Sequence, residues 1–289
     1  MSFVQFARAH GVEIDPAKLY PSQKIRRCGT TEKPRSGNGA YFWDGERGWV
    51  FDWSGEAKVN WYNDPNAQPW TQAEKDAWKA KRQAQRAQQE QGYQRAAQQA
   101  AEMLRSATPG EHSYLHSKGF PLAQGLVAQD GALLVPMRHH QTNALQGVQV
   151  IRWLEDERRH EKKMQPYGMK AAGAVLRMGP PKAVETVLVE GYATGLTVLE
   201  ALRGIGIHAV VLVTFSAHNL TQVAQAVGGK AYIFADHDQS GTGQKAAEAT
   251  GLPWCMSPVE GEDANDLHQR AGLLAVRQLL MRVRLQRKG

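Results

Sequence analysis

Two short apolar runs, each ending in a carboxylate, constrain the fold more than any other feature. They are Thr186-Val187-Leu188-Val189-Glu190-Gly191 and Tyr232-Ile233-Phe234-Ala235-Asp236-His237-Asp238. Each reads as a buried parallel strand that delivers a functional side chain at its C-terminal edge. Helices cover both faces of such a strand, so packing does not explain a polar residue at its tip. The surrounding pattern alternates regularly. Strand Thr186–Glu190 leads to helix Thr194–Arg203, and strand Ala209–Phe215 to helix Leu220–Val227 capped by Asn219. Strand Ala231–Ala235, helix Gln244–Thr250 and strand Pro253–Met256 follow, then one or two helices over Leu267–Leu285. This predicts a wound parallel sheet with right-handed crossovers. Ser240-Gly241-Thr242-Gly243 is either a backbone phosphate cradle or a turn before the helix; it lacks the Gly-Lys-Ser/Thr ending of a Walker loop.

Strands of one sheet ending this way gather Glu190, Asp236 and Asp238 into one acidic rim. A third acidic cluster, Glu262-Asp263-Ala264-Asn265-Asp266, comes one βα unit later. Crowded like charges repel, and a divalent cation relieves the repulsion. Hard oxygen ligands suit Mg²⁺ or Mn²⁺ better than zinc. An isolated Asp-x-Asp is more often a loop or a helix cap; the company it keeps here points to metal. Glu190-Gly191, Asp236-His237-Asp238 and Asp263-Ala264-Asn265-Asp266 together resemble the motifs of the TOPRIM domain, shared by DnaG-type primases, topoisomerases, some nucleases and recombination proteins. The resemblance implies Mg²⁺ held by Asp236 and Asp238, with Asp263 in the same metal site. Glu190 is then the general acid/base or a further metal contact, and Asp266 a further acid.

The chain of 289 residues carries a formal charge of +7, concentrated in residues 70–107, 152–170 and the last eight, which favours an acidic partner such as nucleic acid. Cys28 and Cys255 are too few for a disulfide framework or a cysteine-rich zinc site. No signal peptide or long apolar run is seen, so a soluble, cytoplasmic protein without membrane contact is expected.

Upstream, residues 2–14 have helical spacing, and short aromatic strands broken by turns follow from Tyr20 to Tyr62. Gly37-Asn38-Gly39, Asp44–Gly48 and Ser54-Gly55-Glu56 punctuate them; Ala40–Trp43 and Gly48–Trp53 read as a pair. The segment resembles a degenerate form of the zinc ribbon that opens bacterial primases. Cys28 and His10 cannot complete a four-ligand site, so no zinc is predicted. Its aromatics with Lys24, Arg26, Arg27, Lys33 and Arg35 suit single-stranded nucleic acid. The simpler reading makes Trp43, Trp49 and Trp53 the core of the ribbon. Thr71-Gln72-Ala73-Glu74 is a capping box opening a helix to about Ala107, poor in large apolar residues and read as a solvated linker.

His112–Phe120 reads as a short helix, and Ala132–Met137 and Leu145–Trp153 as strands, the second half-buried and antiparallel. Lys162-Lys163-Met164-Gln165-Pro166 is a basic stretch with an ordinary surface loop as its plainer reading. The order resembles the subdomain that precedes TOPRIM in primases. On that likeness Arg152 and Lys163 match the family's strand Arg and following Lys, and Gly147 the small position. The Pro before that Lys and the Tyr after it are replaced by Lys162 and Met164. Fixed cations are needed opposite the carboxylates to hold triphosphates and template, and Arg138, Arg152, Lys162, Lys163 and Lys170 are the candidates.

The expected architecture is α/β. A small β-rich domain (1–68), a helical linker (69–107) and a mixed α+β primase-like subdomain (108–183) precede the TOPRIM sheet flanked by helices (184–272), and a basic helix (273–289) closes the chain. The resemblance implies a Mg²⁺-dependent primase that uses single-stranded DNA and NTPs for a phage, plasmid or other mobile element. It also implies a replicative helicase or replication initiator as further partner. The alternatives are a TOPRIM nuclease and a non-catalytic single-stranded-DNA-binding accessory protein.

Overall fold

Ser2 and Gln5 form a reciprocal capping box that opens helix α1 (Phe3–Ala9). The computed structural model describes residues 1–55, 58–64 and 71–286, and the chain divides into two units, Met1–Gln83 and Ala84–Gly289. In the first, strands β1 (Val12–Glu13), β2 (Ser22–Thr30), β3 (Gly39–Trp43), β4 (Arg47–Asp52) and β5 (Asn60–Asn63) pair antiparallel in chain order. Strands β3 and β4 form the expected pair; β2 and β5 extend it. Their inner face packs Tyr41, Val50 and Tyr62 against Phe3 and Ala7 of α1. Trp43 belongs to this core, stacked 5.8 Å from Phe3. Trp49 and Trp53 do not: both lie outside it, and Trp53 is exposed. Burial pushes the Cys28 thiol up to about 11. Glu56 of the third expected turn, the Glu74 side chain of the expected capping box, and the basic residues Arg287 and Lys288 lie outside the described residues.

Helix α2 (Gln72–Ser106) spans the boundary between the units. It is not solvated throughout. Ala100 is buried, and Met103 and Leu104 partly so, against Leu134, Val148 and Val150, so its C-terminal turns are part of a core. Then follow β6 (Thr108–Gly110), α3 (Ser113–Ser117), β7 (Gly125–Val127), β8 (Leu133–His139), β9 (Leu145–Leu154), β10 (Arg159–Gln165) and β11 (Ala174–Met178). The chain continues through β12 (Glu185–Val189), α4 (Tyr192–Arg203), β13 (Ala209–Val213), α5 (Ala217–Ala224), β14 (Lys230–Phe234), α6 (Thr242–Glu248), β15 (Trp254–Cys255) and α7 (Ala264–Leu285). The basic stretch at 162–166 is therefore largely strand, in a hairpin with β9, rather than a loop.

One mixed sheet runs through this unit in the order β10-β9-β8-β11-β13-β12-β14-β15, with β6 and β7 joined at β8. Strands β13, β12, β14 and β15 are parallel. Antiparallel β11 welds them to the meander β8–β10, so the two expected subdomains share a single sheet. Helices cover both faces. Val187, Val189, Val211 and Val213 pack toward α4 and α7, while Leu188, Val210 and Leu212 pack toward α5 and α6. The first face continues as Leu133, Val135 and Ile151 beneath Tyr114 and Ala193; the second as Leu134, Val148 and Val150 beneath α2. No helix among the described residues is long and apolar enough to cross a membrane.

Glu185, at the start of β12, accepts from Arg284 Nε and Nη2 at 2.7 Å each and from Lys230 Nζ at 2.9 Å, tying the end of α7 to the sheet. Arg284 holds its carboxyl down at about 2, with Lys230 adding to the effect. A depressed carboxyl stabilises the fold above its unfolded value of 4.5 and loses that stabilisation as pH falls toward 2. Glu185→Gln is expected to lower stability at pH 7 by about 1–3 kcal/mol and to flatten the acid limb of thermal melts recorded from pH 5 to 2. An unchanged acid limb would show that the staple contributes nothing.

Candidate active site

The parallel strands end at one edge of the sheet, and there the carboxylates meet. Glu190 directly follows β12, and its backbone C=O accepts from Phe215 N–H at 2.9 Å. Phe215 holds φ of +65°, a left-handed conformation unusual for a bulky residue, in the corner after β13. Asn219 stabilises that corner. It is buried inside α5 rather than capping it; Ser216 is the cap. Its side chain donates to Thr214 C=O (2.8 Å) and Ala174 C=O (2.7 Å) and accepts from Gly173 N–H (2.7 Å). Burial raises the Glu190 carboxyl, offset in part by the Ala217 N–H and reinforced by Asp238.

Asp236 stands two residues past β14. Part of the residue is open to solvent, yet its Oδ1 is sealed and has no hydrogen-bond partner. Burial, then the charges of Asp263 and Glu190, push its carboxyl up to about 8; Lys162 opposes this and Asp238 adds to it. The start of α6 sits tight against its backbone. A Cβ on Gly243 would lie 2.3 Å from the Asp236 carbonyl oxygen, so only glycine fits there.

The remaining acids are held by helix N-termini. Asp238 accepts from the Ser240 hydroxyl, from Gly243 N–H at 2.8 Å and from Thr242 N–H at 3.1 Å, which pull its carboxyl down to about 2. Asp263 caps α7, accepting from Asn265 N–H (2.7 Å) and Asp266 N–H (2.9 Å), and its Oδ2 accepts from Thr194 Oγ1 at 3.1 Å. Asp266 returns the capping box and faces Lys118 Nζ at 3.7 Å. Glu262 is taken by Arg270 and Ser257, and His237 by the Ser257 carbonyl, so both hold loops together.

Among the described residues no three of His, Cys, Asp and Glu are grouped to hold one metal ion. That arrangement still suits Mg²⁺, which is commonly bound by one or two carboxylates with water and substrate phosphates completing its shell. The sealed, unpartnered Oδ1 of Asp236 amid three further carboxylates is the kind of donor such an ion satisfies.

The basic candidates separate by face. Lys162 pairs in register with Ile151, on the side packed beneath Tyr114. Its Nζ lies 5.2 Å from the Tyr114 ring centroid, and its charge acts on Asp236. His160, two residues earlier, meets Ser113 Oγ at 3.0 Å and the rings of Tyr114 and Trp153. Lys163 pairs with Val150, on the opposite side, as does Arg152 two residues beyond. Arg152 is bound to Asp130 at 2.5 Å and Lys163 to Glu161 at 2.9 Å. Arg138 donates to Asn143 C=O at 3.1 Å, and Lys170 lies over Tyr93 at 5.8 Å. The structure thus brings Lys162 to the carboxylates, and not Arg152 or Lys163. Lys118, Tyr114 and His160 are members that sequence reading missed. Their signal, a polar-aromatic cluster on a five-residue helix and an alternating strand, becomes meaningful only once α3 is seen to lie between β10 and α7.

No protein-family model matches the sequence, and no curated protein matches it. Among solved structures, the chain is similar to one of the bacteriophage T7 lagging-strand DNA polymerase interacting with primase domains of two gp4 subunits bound to an RNA/DNA hybrid and dTTP. The identity there is 16%, over 62% of this chain and 92% of that chain, with a TM-score of 0.40. It is also similar to the DnaG primase catalytic domain bound to ssDNA, at 16% identity over 61% of this chain and 66% of that chain, TM-score 0.36. A structure of the DnaG catalytic core matches at 15%, over 61% and 63%, TM-score 0.35. Likeness of this degree assigns no activity, and the functional reading rests on the site itself.

Proposed function

We propose that the chain is a Mg²⁺-dependent nucleotidyltransferase that makes short RNA primers on single-stranded DNA. The observation that carries this reading is Asp236, a sealed carboxylate with an unpartnered oxygen among Glu190, Asp238 and Asp263, with Lys162 acting on it from another strand. Asp236, with Glu190 or Asp238 beside it, would hold Mg²⁺, whose chemistry when bound is to neutralise the triphosphate and favour ionisation of the attacking 3′-hydroxyl. In the reaction the 3′-oxygen bonds to the α-phosphorus, and pyrophosphate leaves. Glu190, whose proton affinity burial has raised, would take the hydroxyl proton. Lys162, laid along Tyr114, offsets negative charge on the triphosphate, and Lys118 extends the positive wall beside Asp266.

The test is a primer-synthesis assay with single-stranded template, NTPs and Mg²⁺. Labelled oligoribonucleotides that vanish in Asp236→Ala support the proposal. Template shortened without NTPs would identify a nuclease, and metal-independent binding with neither product a binding protein. Within the same assay Lys162→Ala is expected to lower primer yield by about 100-fold. Arg152→Ala and Lys163→Ala, on the other side of the hairpin, are expected to stay within about threefold. The reverse order would remove Lys162 from the site.

A further inference from the structure

The second face of the mixed sheet carries α2 at one end and α5 with α6 at the other. Helix α2 lies over Leu134, Val148 and Val150, and α5 and α6 over Val175, Leu188 and Val210. Pro136, Arg138 and Arg177 belong to neither core; there β8 and β11 floor a cavity of about 680 Å³. Arg138 stands opposite Val175, and Arg177 lies two residues beyond Val175 on the same face. The two arginines are thus diagonal neighbours on adjacent strands, where Cα atoms stand about 7–8 Å apart. Both line the cavity with His139 and His140, and no residue lining it is acidic.

Like charges this close repel each other, and a salt bridge is the usual remedy. None is present: among the described residues neither arginine forms an ion pair. Backbone carbonyls hold them in place instead. Arg138 Nη1 donates to Asn143 C=O at 3.1 Å, in a turn where Asn143 has φ of +57°, and Arg177 Nη2 donates to Pro181 C=O at 3.1 Å. Each guanidinium keeps other N–H groups for a ligand. His139 Nδ1 accepts from Thr142 N–H at 3.3 Å, which leaves Nε2 as the donor of that ring. Guanidinium forks match phosphate oxygens, and two forks side by side match successive phosphates. The volume is that of a small-molecule pocket, and the concave wall suits a compact ligand better than an extended strand.

We propose that this cavity binds a polyphosphate chain, free as pyrophosphate or carried by a nucleotide. Arg138 and Arg177 grip its oxygens, and His139 donates beside them. Lys162 lies on the opposite face of the sheet, so the site is separate from the carboxylates and does not depend on the chemistry proposed there. Calorimetric titration of the full-length protein with pyrophosphate and with ATP tests it, in EDTA so that no metal carries phosphate to the acidic cleft. Saturable binding is expected. Arg138→Ala and Arg177→Ala should each weaken it about 10-fold, and Arg138→Lys should recover only part, because it keeps the charge and loses the fork. Lys162→Ala should leave it unchanged. Tighter binding of ATP than of pyrophosphate would identify a nucleotide as the ligand, and equal affinity the phosphate chain alone; both uphold the proposal. Undiminished binding by an Arg138→Ala/Arg177→Ala variant that melts like wild type overturns it, as does loss of binding in Lys162→Ala. Failure of both ligands to bind also overturns it, and oligo(dT) held through the two arginines would then make the cavity part of a nucleic-acid track.

Discussion

Replacing Asp236 by Asn is expected to stabilise the metal-free protein at pH 8 while abolishing the proposed primer synthesis. The carboxyl is pushed up to about 8 from an ordinary value of 3.8, chiefly by burial and then by Asp263 and Glu190. Between those values the unfolded chain releases a proton that the folded chain keeps. Stability that is complete below the unfolded value is therefore lost as pH rises through 8. The neutral amide removes this dependence. In EDTA the variant should gain about 2 kcal/mol at pH 8, and its melting temperature should be flat from pH 5 to 8 where that of the wild type falls. The cluster shares its protons, so the slope belongs to the group rather than to Asp236 alone. Added Mg²⁺ should raise the wild-type melting temperature at pH 8 and leave Asp236→Asn unmoved. If the variant melted below wild type in EDTA, or responded equally to Mg²⁺, Asp236 would not be the strained ligand described here.

Asn219→Ala is expected to cost about 3 kcal/mol, although the side chain is buried and none of its hydrogen bonds goes to a carboxylate. It removes three buried hydrogen bonds and strands the Gly173 N–H and the Ala174 and Thr214 carbonyls without their side-chain partner. For a unit of this size the melting temperature should fall by roughly 6–12 °C. The same bonds brace the corner at Phe215, whose N–H fixes the Glu190 backbone. Activity measured well below the melting temperature should therefore drop too. Asn219→Asp, which keeps the acceptor but turns a second carboxylate oxygen toward the Ala174 and Thr214 carbonyls, should cost at least as much at pH 7. A fold indifferent to Asn219→Ala would mean that water replaces the side chain at no cost.

The two variants describe one design from opposite sides. Around Asp236 the fold tolerates repulsion between carboxylates; around Asn219 it pairs the Gly173, Ala174 and Thr214 backbone groups that brace the corner presenting Glu190. Strain is concentrated where a ligand can relieve it, and rigidity where the backbone must not move.

The parallel half of the sheet was legible in the sequence, because a strand buried on both faces must be apolar along its whole length. Thr186–Val189 and Tyr232–Ala235 therefore announce both their conformation and the functional weight of the acids that follow. The gathering of Glu190, Asp236, Asp238 and Asp263 follows from the same wound order. Strands β2, β5 and β11 were not legible: β2 is polar but for Ile25 and Cys28, β5 puts aromatic residues on both faces, and β11 is a short run interrupted by Arg177, so their alternation carries no hydrophobic contrast. Nor could sequence say that Asp238 would serve the start of α6, or that Ser216 rather than Asn219 would cap α5. The choice of Lys162 over Lys163 belonged to tertiary structure alone. Neighbours on a strand point to opposite faces, and which face meets the carboxylates is set by the pairing of β10 with β9 and the placement of α3 against it. Chain order places a residue on an element; only the packing of elements from distant parts of the chain decides which of two adjacent charges shares a cleft with Asp236.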